Sequence, residues 1–356
     1  MEPWLIPKHT RFRARKDQLQ ENDWRRTMPL DHYVSQVHLR KFYSPALGNR
    51  MYAIRKSDLK SFTPRSEDVC RIMDGSTNVY LRENREIEDF LKTIEPNYTA
   101  AVEKLIAGAI DRECIYTIAG FVAYIISCSP TNMRIGSDPL KNIVETTTAM
   151  MDAKGVFPPA PPQLGDRTLT ELIRDGTIQV TIDPKFPQAF GISGIMDCTA
   201  RFGNFKWDIL HNGFKDSPFC TSDFPAAIEE TSDPRTLNRI VPLAPNLALR
   251  IRPNRASDQA QPDFSFRNFG YRSRKVSHRE LVELNCLIVR CAEDIVFYRD
   301  DRPWVRPFVA KNRHYRIEAY THRLAAPTGT LLVSTQRVVA RTPLPEPGAS
   351  RCQTSN

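Results

Sequence analysis

The sequence predicts an α+β protein with a helical N-terminal half, a strand-rich central part and a returning C-terminal helix. Apolar residues recur at helical spacing between residues 87 and 153. The middle of the chain instead carries short extended segments that prolines and turn residues separate. A strong apolar stripe then returns at helical spacing between residues 277 and 297. These three observations together predict the fold class.

The chain of 356 residues is long enough to bury a sizeable core, and its length suits one large domain or two smaller ones. We expect a poorly ordered basic leader over residues 1–30 and a disordered tail over residues 343–356. A single large domain is expected over residues 31–342. It has a helical part at 31–155 and a strand-rich part with an Arg-rich end at 168–342.

The helical part begins with the amphipathic segment DHYVSQVHLRKF, in which Asp31 is predicted to cap a short helix. Residues 50–56 alternate as a strand does. The next helical stripe runs on both sides of Pro96, which is predicted to divide or kink it because proline lacks an amide donor. A buried helix at 112–129 and a further helix at 140–153 precede an extended proline-rich connector.

The central part contains two predicted strands, at 177–183 and 206–210. Residues 219–225 are rich in turn formers, and residues 240–251 indicate two short extended segments separated by prolines. The late helix at 277–297 is predicted to start at Ser277, with Glu280 as the capping-box partner.

Composition excludes several classes of protein. Mean hydropathy is −0.43 and no run of 18 apolar residues occurs, which is typical of a soluble globular chain without membrane spans. The eight cysteines form no C-x-x-C pair and several lie on apolar helical faces, as in a reducing compartment. We therefore expect a cytoplasmic protein. Neither clustered zinc ligands nor the common phosphate-loop, dinucleotide, zincin, nucleophile-elbow or kinase motifs are present.

The net charge of +9 is unevenly distributed. Residues 248–356 carry 19 basic residues, of which 17 are Arg, against 10 acidic residues, so this stretch alone matches the whole excess. Arg272, Arg274 and Lys275 are the candidate contacts to nucleic-acid phosphates in this region.

A first polar cluster is centred on His32, Gln36 and Arg40. At helical spacing these residues share a face and combine a titratable base, an amide and a permanent cation. Such a stripe suits binding of a phosphate or carboxylate together with proton transfer. The alternative is a structural polar face held by hydrogen bonds.

A second cluster contains Glu88 and Glu95, seven residues apart on one helical face. Their backbones are about 10 Å apart, too far to chelate one ion unaided. Arg134 is the predicted partner, either in a buried Glu–Arg pair or in a catalytic cleft.

A third candidate is the Ser222-Asp223 turn, which presents a hydroxyl and a carboxylate before Pro225. Asp223 is a candidate base or metal ligand and Ser222 a hydroxyl donor. In the alternative reading, both side chains only satisfy backbone groups of a turn.

Several of these motifs resemble those of a known protein family. HYVSQVHLRKF resembles the H-Y-V-P-Q-x-x-L-R-x-F opening of a bacterial family known as domain of unknown function 4238. Further landmarks agree in order over residues 31–299: the I-E-x-x-L-x-x-I-E stretch at 87–95, the S-D-x-P turn at 222–225, P-L-x-P at 242–245, and Leu284-Asn285. Ser35 replaces the family's usual proline, and Cys128-Ser129-Pro130 stands where Arg-x-Pro is typical. The resemblance implies an architecture and candidate residues, without an activity.

Three functions remain open. The first is a nucleic-acid-directed enzyme, nuclease-like and directed against foreign genetic elements such as phage, with the Arg-rich end as docking region. The second is a non-catalytic module that binds nucleic acid or a protein partner. The third is an enzyme on a small anionic substrate, with Arg40 and Arg134 as the anion clamp. The sequence identifies no cofactor, although the carboxylates are compatible with a divalent metal ion.

Overall fold

The computed structural model of the chain describes residues 29–158, 160–233, 236–254, 261–326 and 329–341. Its element order confirms the α+β class, with helices mainly in the N-terminal half and strands mainly central and C-terminal. The predicted leader, apart from Pro29 and Leu30, and the predicted tail lie outside the described residues.

The helices of the described residues are, in chain order, α1 (Gln36–Leu39), α2 (Glu86–Ala107), α3 (Arg112–Cys128), α4 (Pro130–Ala153), α5 (Leu169–Arg174), α6 (Lys185–Ser193), α7 (Ile195–Gly203), α8 (His278–Cys291) and α9 (Val305–Asn312). The strands are β1 (Leu30–His32), β2 (Tyr52–Arg55), β3 (Ser61–Phe62), β4 (Arg71–Met73), β5 (Lys206–His211), β6 (Thr221–Ser222), β7 (Ala227–Glu230), β8 (Leu237–Ala244), β9 (Leu247–Arg252), β10 (Gly270–Lys275), β11 (Ile295–Tyr298), β12 (Tyr315–Ala326) and β13 (Gly329–Ala340).

The first element is a strand, so the predicted helix cap at Asp31 is wrong. Asp31 lies in β1, which pairs antiparallel with β4. Its carboxylate accepts hydrogen bonds from the amide of Ser76 (2.9 Å) and the guanidinium of Arg85 (3.0 Å). Although burial disfavours its charge, these donors hold the pKa of Asp31 below its usual value.

Helices α2, α3 and α4 follow the predicted stripes, and α4 is longer than predicted. α2 continues through Pro96, so the proline does not divide it. α2 and α3 pack closely at Gly120, where an added Cβ would lie 2.4 Å from Ile94 Cδ1. α4 begins ten residues earlier than predicted, because Ser129 caps its first turn and Pro130 suits its first helical position.

The central region contains an unexpected helical segment, α5 to α7, inside the part that was predicted to be strand-rich. The predicted strand at 177–183 is wrong. Ile178, Val180 and Ile182 are half-buried in alternation, but the segment pairs with no strand among the described residues. Alternating apolar residues indicate only that every second side chain is half-buried. An extended segment can show this pattern without forming the hydrogen bonds of a sheet.

The predicted strands at 206–210 and 240–251 are confirmed in a five-stranded sheet of order β10-β5-β9-β8-β7. β10 pairs parallel to β5, whereas the remaining pairs are antiparallel. Pro242 lies within β8, next to a register shift, so it does not separate the two segments as predicted. Trp207 of β5 is fully buried and donates to the carbonyl of Phe202 (2.9 Å).

The returning helix is confirmed as α8 but ends at Cys291, six residues before the predicted end. Ser277 caps it by accepting a hydrogen bond from the amide of Glu280 (3.2 Å). The Glu280 side chain pairs with arginines and does not accept a hydrogen bond from the Ser277 amide, which the predicted capping box requires. Ile295 continues the apolar spacing but lies in β11, at the centre of the four-stranded sheet β3-β2-β11-β6.

His38 of α1 joins the N-terminal helices to this sheet. Its fully buried ring shares hydrogen bonds with the hydroxyls of Tyr98 in α2 (2.8 Å) and Thr221 in β6 (2.9 Å), and it stacks on Phe121 of α3. Burial lowers the pKa of His38 to about 3, so the ring is neutral in the folded protein at physiological pH.

The buried His38 predicts a loss of stability in acid. The unfolded chain binds a proton at this residue below about pH 6.5, whereas the folded protein does so only near pH 3. The His38 contribution is therefore present above pH 6.5 and is lost as pH falls toward 3. We expect it to lower the free energy of unfolding by about 2 kcal/mol between pH 7 and pH 5. Urea titrations of the wild type and of His38→Gln at both pH values measure this difference.

The matched control is His322→Gln, at an exposed histidine of β12, which should keep the wild-type dependence on pH. An equal loss of stability in His38→Gln and wild type over this interval would contradict the assignment.

Ser35 predicts a stabilising substitution. Its backbone angles, φ −55 and ψ 133, are those of proline, its amide has no acceptor among the described residues, and its hydroxyl is buried without a partner. We expect Ser35→Pro to raise the free energy of unfolding by about 0.5–1 kcal/mol, because proline restricts the unfolded chain. Chemical denaturation of Ser35→Pro beside Ser35→Ala separates this effect from removal of the hydroxyl; a proline variant less stable than the alanine variant refutes it.

Candidate functional site

One cleft of about 290 Å³ brings together most of the predicted N-terminal site residues. It lies between β1, α1 and α2. The predicted residues that line it are His32, Gln36, Arg40, Glu88 and Glu95. Leu30, Asp31, Val37 and Leu91 complete the lining. The first two predicted clusters therefore form one site.

His32 enters the cleft from a strand, so the predicted shared helical face of His32, Gln36 and Arg40 is wrong. The hydroxyl of Tyr124, in the buried helix α3, donates to the His32 carbonyl. The imidazole Nε2 is buried and has no hydrogen-bond partner in the described structure.

Several groups act on the His32 imidazole. Burial lowers its pKa, and the nearby charge of Arg71 acts in the same direction. The carbonyl groups of Glu67 and Ser66 and the charge of Glu95 partly oppose this shift. The net pKa lies below 6.5, so the ring is mainly neutral near pH 7 and able to accept a proton.

Gln36 positions the cation of the cleft. Its Oε1 accepts hydrogen bonds from the guanidinium of Arg40 (3.0 Å) and from the hydroxyl of Ser66 (3.3 Å). Arg40 is exposed and makes no ion pair with a described residue. Its remaining N–H groups are available to an anion.

The two glutamates of α2 differ in their partners. Glu88 pairs with Arg85 (3.3 Å), which also pairs with Asp31. Glu95 is half-buried and makes no ion pair or side-chain hydrogen bond with a described residue. It is therefore the free carboxylate of the cleft, near His32.

Arg134 lies elsewhere, so the prediction that it pairs with Glu88 or Glu95 is wrong. Its guanidinium binds both oxygens of Glu293 (2.8 and 3.0 Å) and one oxygen of Glu318 (2.9 Å). This network joins α4 to the segment after α8 and to β12. Pairing with Glu293 outweighs burial and raises the pKa of Arg134.

Ser222 and Asp223 are not among the residues that line the cleft, and both are buried. The Asp223 carboxylate accepts hydrogen bonds from the amides of residues 293, 294 and 295 (2.8 Å each). The Ser222 hydroxyl accepts one from the Phe224 amide (3.2 Å). Burial raises the pKa of Asp223 to about 6, against the opposing effect of these amides and of Lys56.

The candidate nucleic-acid contacts on β10 are largely paired with carboxylates. Arg272 binds both oxygens of the buried Asp208 (2.7 and 2.8 Å), and Arg274 binds both oxygens of Glu280 (2.6 Å each). Lys275 is exposed and makes no ion pair with a described residue. Of the three predicted contacts, only Lys275 offers an unpaired cation.

Sequence reasoning missed Tyr124, Arg85 and Lys56. The Lys56 ammonium is buried and donates to the carbonyls of residues 290, 292 and 315, at 3.3, 2.6 and 2.9 Å. The i,i+3 spacing of Arg85 and Glu88 is the one signal that relates any of the three to the site. The other contacts, of Arg85 with Asp31, of Tyr124 with His32 and of Lys56 with residue 315, join residues 54 to 259 positions apart.

The described residues contain no group of three or more His, Cys, Asp or Glu side chains arranged to hold a metal ion. Within the same residues, no single helix has the length and apolarity to cross a bilayer; α3 and α4 meet that test only as a pair bent by 58°.

The geometry at His32 predicts opposite effects for two neighbouring charges. Glu95→Gln should lower the pKa of His32, because it removes a carboxylate that favours the imidazolium. Arg71→Gln should raise it, because it removes a repelling cation. The two variants should therefore shift the pKa of His32 in opposite directions. NMR titration of the histidine ring signals, with His32→Gln for assignment, measures both; a shift of the same sign in the two variants contradicts the geometry.

The family assignment rests on comparison with known proteins. A family model described as a protein of unknown function, DUF4238, matches residues 31–302. Neither the curated proteins nor the solved structures contained a match to the chain. The matched span includes every residue of the cleft except Leu30. It also includes the Ser222-Asp223 turn and α8, and it ends before the β12–β13 hairpin. Because this span covers well over half of the chain, the protein belongs to the DUF4238 family.

Proposed function

We propose that the cleft at His32 is the active site of a hydrolytic enzyme that cleaves phosphodiester bonds in nucleic acid. One observation carries the proposal: a neutral imidazole with an unpartnered nitrogen, a free carboxylate and an unpaired guanidinium converge on the same cleft. These groups come from three parts of the chain, and together they suit general acid–base cleavage of an anionic ester.

In the proposed reaction, substrate binding brings the buried Nε2 of His32 to an attacking water molecule, and Nε2 takes a proton from that water. A phosphorus–oxygen bond forms at the attacking oxygen and another breaks at the leaving oxygen. The imidazolium then gives its proton to the leaving oxygen. Glu95 stabilises the imidazolium by its charge, and Arg40 stabilises the charge that develops on the phosphoryl oxygens.

The role of Tyr124 in this scheme is to position His32. Its hydroxyl holds the His32 carbonyl from the buried face of α3, and therefore fixes the strand that carries the base. Gln36 positions Arg40 by accepting a hydrogen bond from its guanidinium. Neither residue takes part in proton transfer in the proposal.

The size of the cleft favours a second candidate, an enzyme on a small anionic substrate. A volume of about 290 Å³ is at the lower end of the range for small-molecule sites. In that case Arg40 alone binds the anion, because Arg134 is engaged by two glutamates. A purely electrostatic binding module is less well supported, since Arg272 and Arg274 are paired internally.

The proposal includes a cytoplasmic location and a role against foreign nucleic acid. The seven described cysteines are free thiols, which suits a reducing compartment. Burial raises the pKa of several of them, which keeps them unreactive. The cellular readout of this role is reduced survival of phage-infected cells, or toxicity on expression. Either effect should disappear in His32→Gln.

The proposed function predicts cleavage that depends on His32. Purified protein is incubated with single-stranded RNA, single-stranded DNA and a small phosphodiester, each with and without Mg²⁺ or Mn²⁺. We expect His32→Gln to lower the rate by about 100-fold or more, and Glu95→Gln by a smaller factor. Activity should be lost as pH falls through the pKa of His32, because the base must be unprotonated.

His322→Gln is the matched histidine control and should keep full activity. Cleavage of the small diester alone selects the second candidate. Equal rates for wild type and His32→Gln, or no cleavage of any substrate, rule out the proposed active site.

A further inference from the structure

A second pocket, of about 330 Å³, lies at the start of α8, far along the chain from the His32 cleft. It shares no lining residue with that cleft. Side chains of α8, α9 and the loop before β6 line it, namely Ser217, His278, Leu281, Val282, Trp304 and Phe308.

Aromatic rings form two walls of this pocket and are fixed in place. Trp304 and Phe308 meet edge to face, with ring centroids 5.6 Å apart. The Trp304 indole N–H donates to the carbonyl of Asp216 (2.9 Å), which leaves the ring faces for apolar contact. His278 is held edge to face against Phe214.

Few polar groups remain for a ligand. Asn285 also lines the pocket, but its amide is occupied: it donates to the Pro218 carbonyl (3.0 Å) and accepts from the Cys220 amide (3.1 Å). The Ser217 hydroxyl and His278 Nε2 are 3.4 Å apart, a long contact that leaves both able to bond to a ligand. The pocket thus suits a flat ring with polar groups at one edge.

Two exposed lysines lie close in the chain to residues that line the pocket. Lys215 precedes Ser217 by two residues and Lys275 precedes His278 by three, so each backbone lies within about 11 Å of a lining residue. Both lysines are exposed and neither makes an ion pair with a described residue. They offer charge to an anion attached to the ring.

We infer that this pocket binds a nucleotide unit, with the base against Trp304 and Phe308 and the phosphate near Lys215 and Lys275. Stacking on aromatic side chains together with lysine contacts to phosphate is the common means of holding single-stranded nucleic acid. The inference does not rest on the proposed function, because the two sites share no residue. The nucleotide is either free or part of a strand.

The test measures binding of a fluorescein-labelled ten-residue oligothymidylate and of unlabelled dTMP to the full chain. Fluorescence anisotropy follows the first, and calorimetry follows the second. We expect Trp304→Ala to weaken binding by about 5- to 100-fold, the range for loss of one stacked base. Trp304→Phe, which keeps a ring, should retain most of the affinity. Lys215→Ala with Lys275→Ala should make binding to the oligonucleotide less dependent on salt.

Phe190→Ala, at an aromatic residue that is 80% exposed and does not line this pocket, is the matched control and should bind as wild type does. Binding of dTMP assigns the site to free nucleotides, and binding of the oligonucleotide alone assigns it to a strand. Equal affinity of wild type and a folded Trp304→Ala protein, or no binding of either ligand, overturns the inference. His32→Gln should bind normally, which separates this result from that of the proposed active site.

Discussion

The two-sided hydrogen bonding of His38 is the contact on which the arrangement of the N-terminal half depends. A fully buried polar ring is stable only when both nitrogens have partners, and these come from α2 and from β6. The His38 ring therefore fixes α1 against the helices and the sheet at once. Because α1 follows β1 by three residues, the same contact places His32 and Gln36 at the edge of α2. This core contact therefore joins α1 to α2, two of the elements that line the cleft.

A pair of buried opposite charges holds the segment after α8. Asp223 accepts hydrogen bonds from three of its amides, and Lys56 donates to the carbonyls of residues 290 and 292, at the end of α8 and directly after it. Burial raises the pKa of Asp223 to about 6 and lowers that of Lys56 to about 8. Each charge favours the ionised form of the other and so partly opposes these shifts in pKa. Each buried ion is stabilised by hydrogen bonds to backbone groups. This explains the S-D-x-P turn as a structural device that connects β6, β2 and the end of α8.

The Arg-rich end of the chain shows how composition and structure differ. Its arginines raise the net charge, yet Arg272, Arg252 and Arg250 surround Asp208, whose carboxylate is fully buried. Burial disfavours the ionised form of Asp208. The arginines favour that form more strongly and hold the pKa of Asp208 below its usual value. Part of the excess therefore lies in ion pairs of the five-stranded sheet. Counting charges cannot separate such internal pairs from free cations, because pairing depends on strand register.

The sequence by itself determined the fold class, the long helices and the identity of five polar residues in the cleft, because helical periodicity and residue chemistry are local properties. It also indicated the family through short motifs at ordered positions. Only the tertiary structure decided which candidates meet. His32 joins Glu95 because β1 runs beside α2, whereas Arg134 and Asp223 bind partners near residue 293. Such pairings link residues tens to hundreds of positions apart, and they are fixed by packing of whole elements, which no local pattern records.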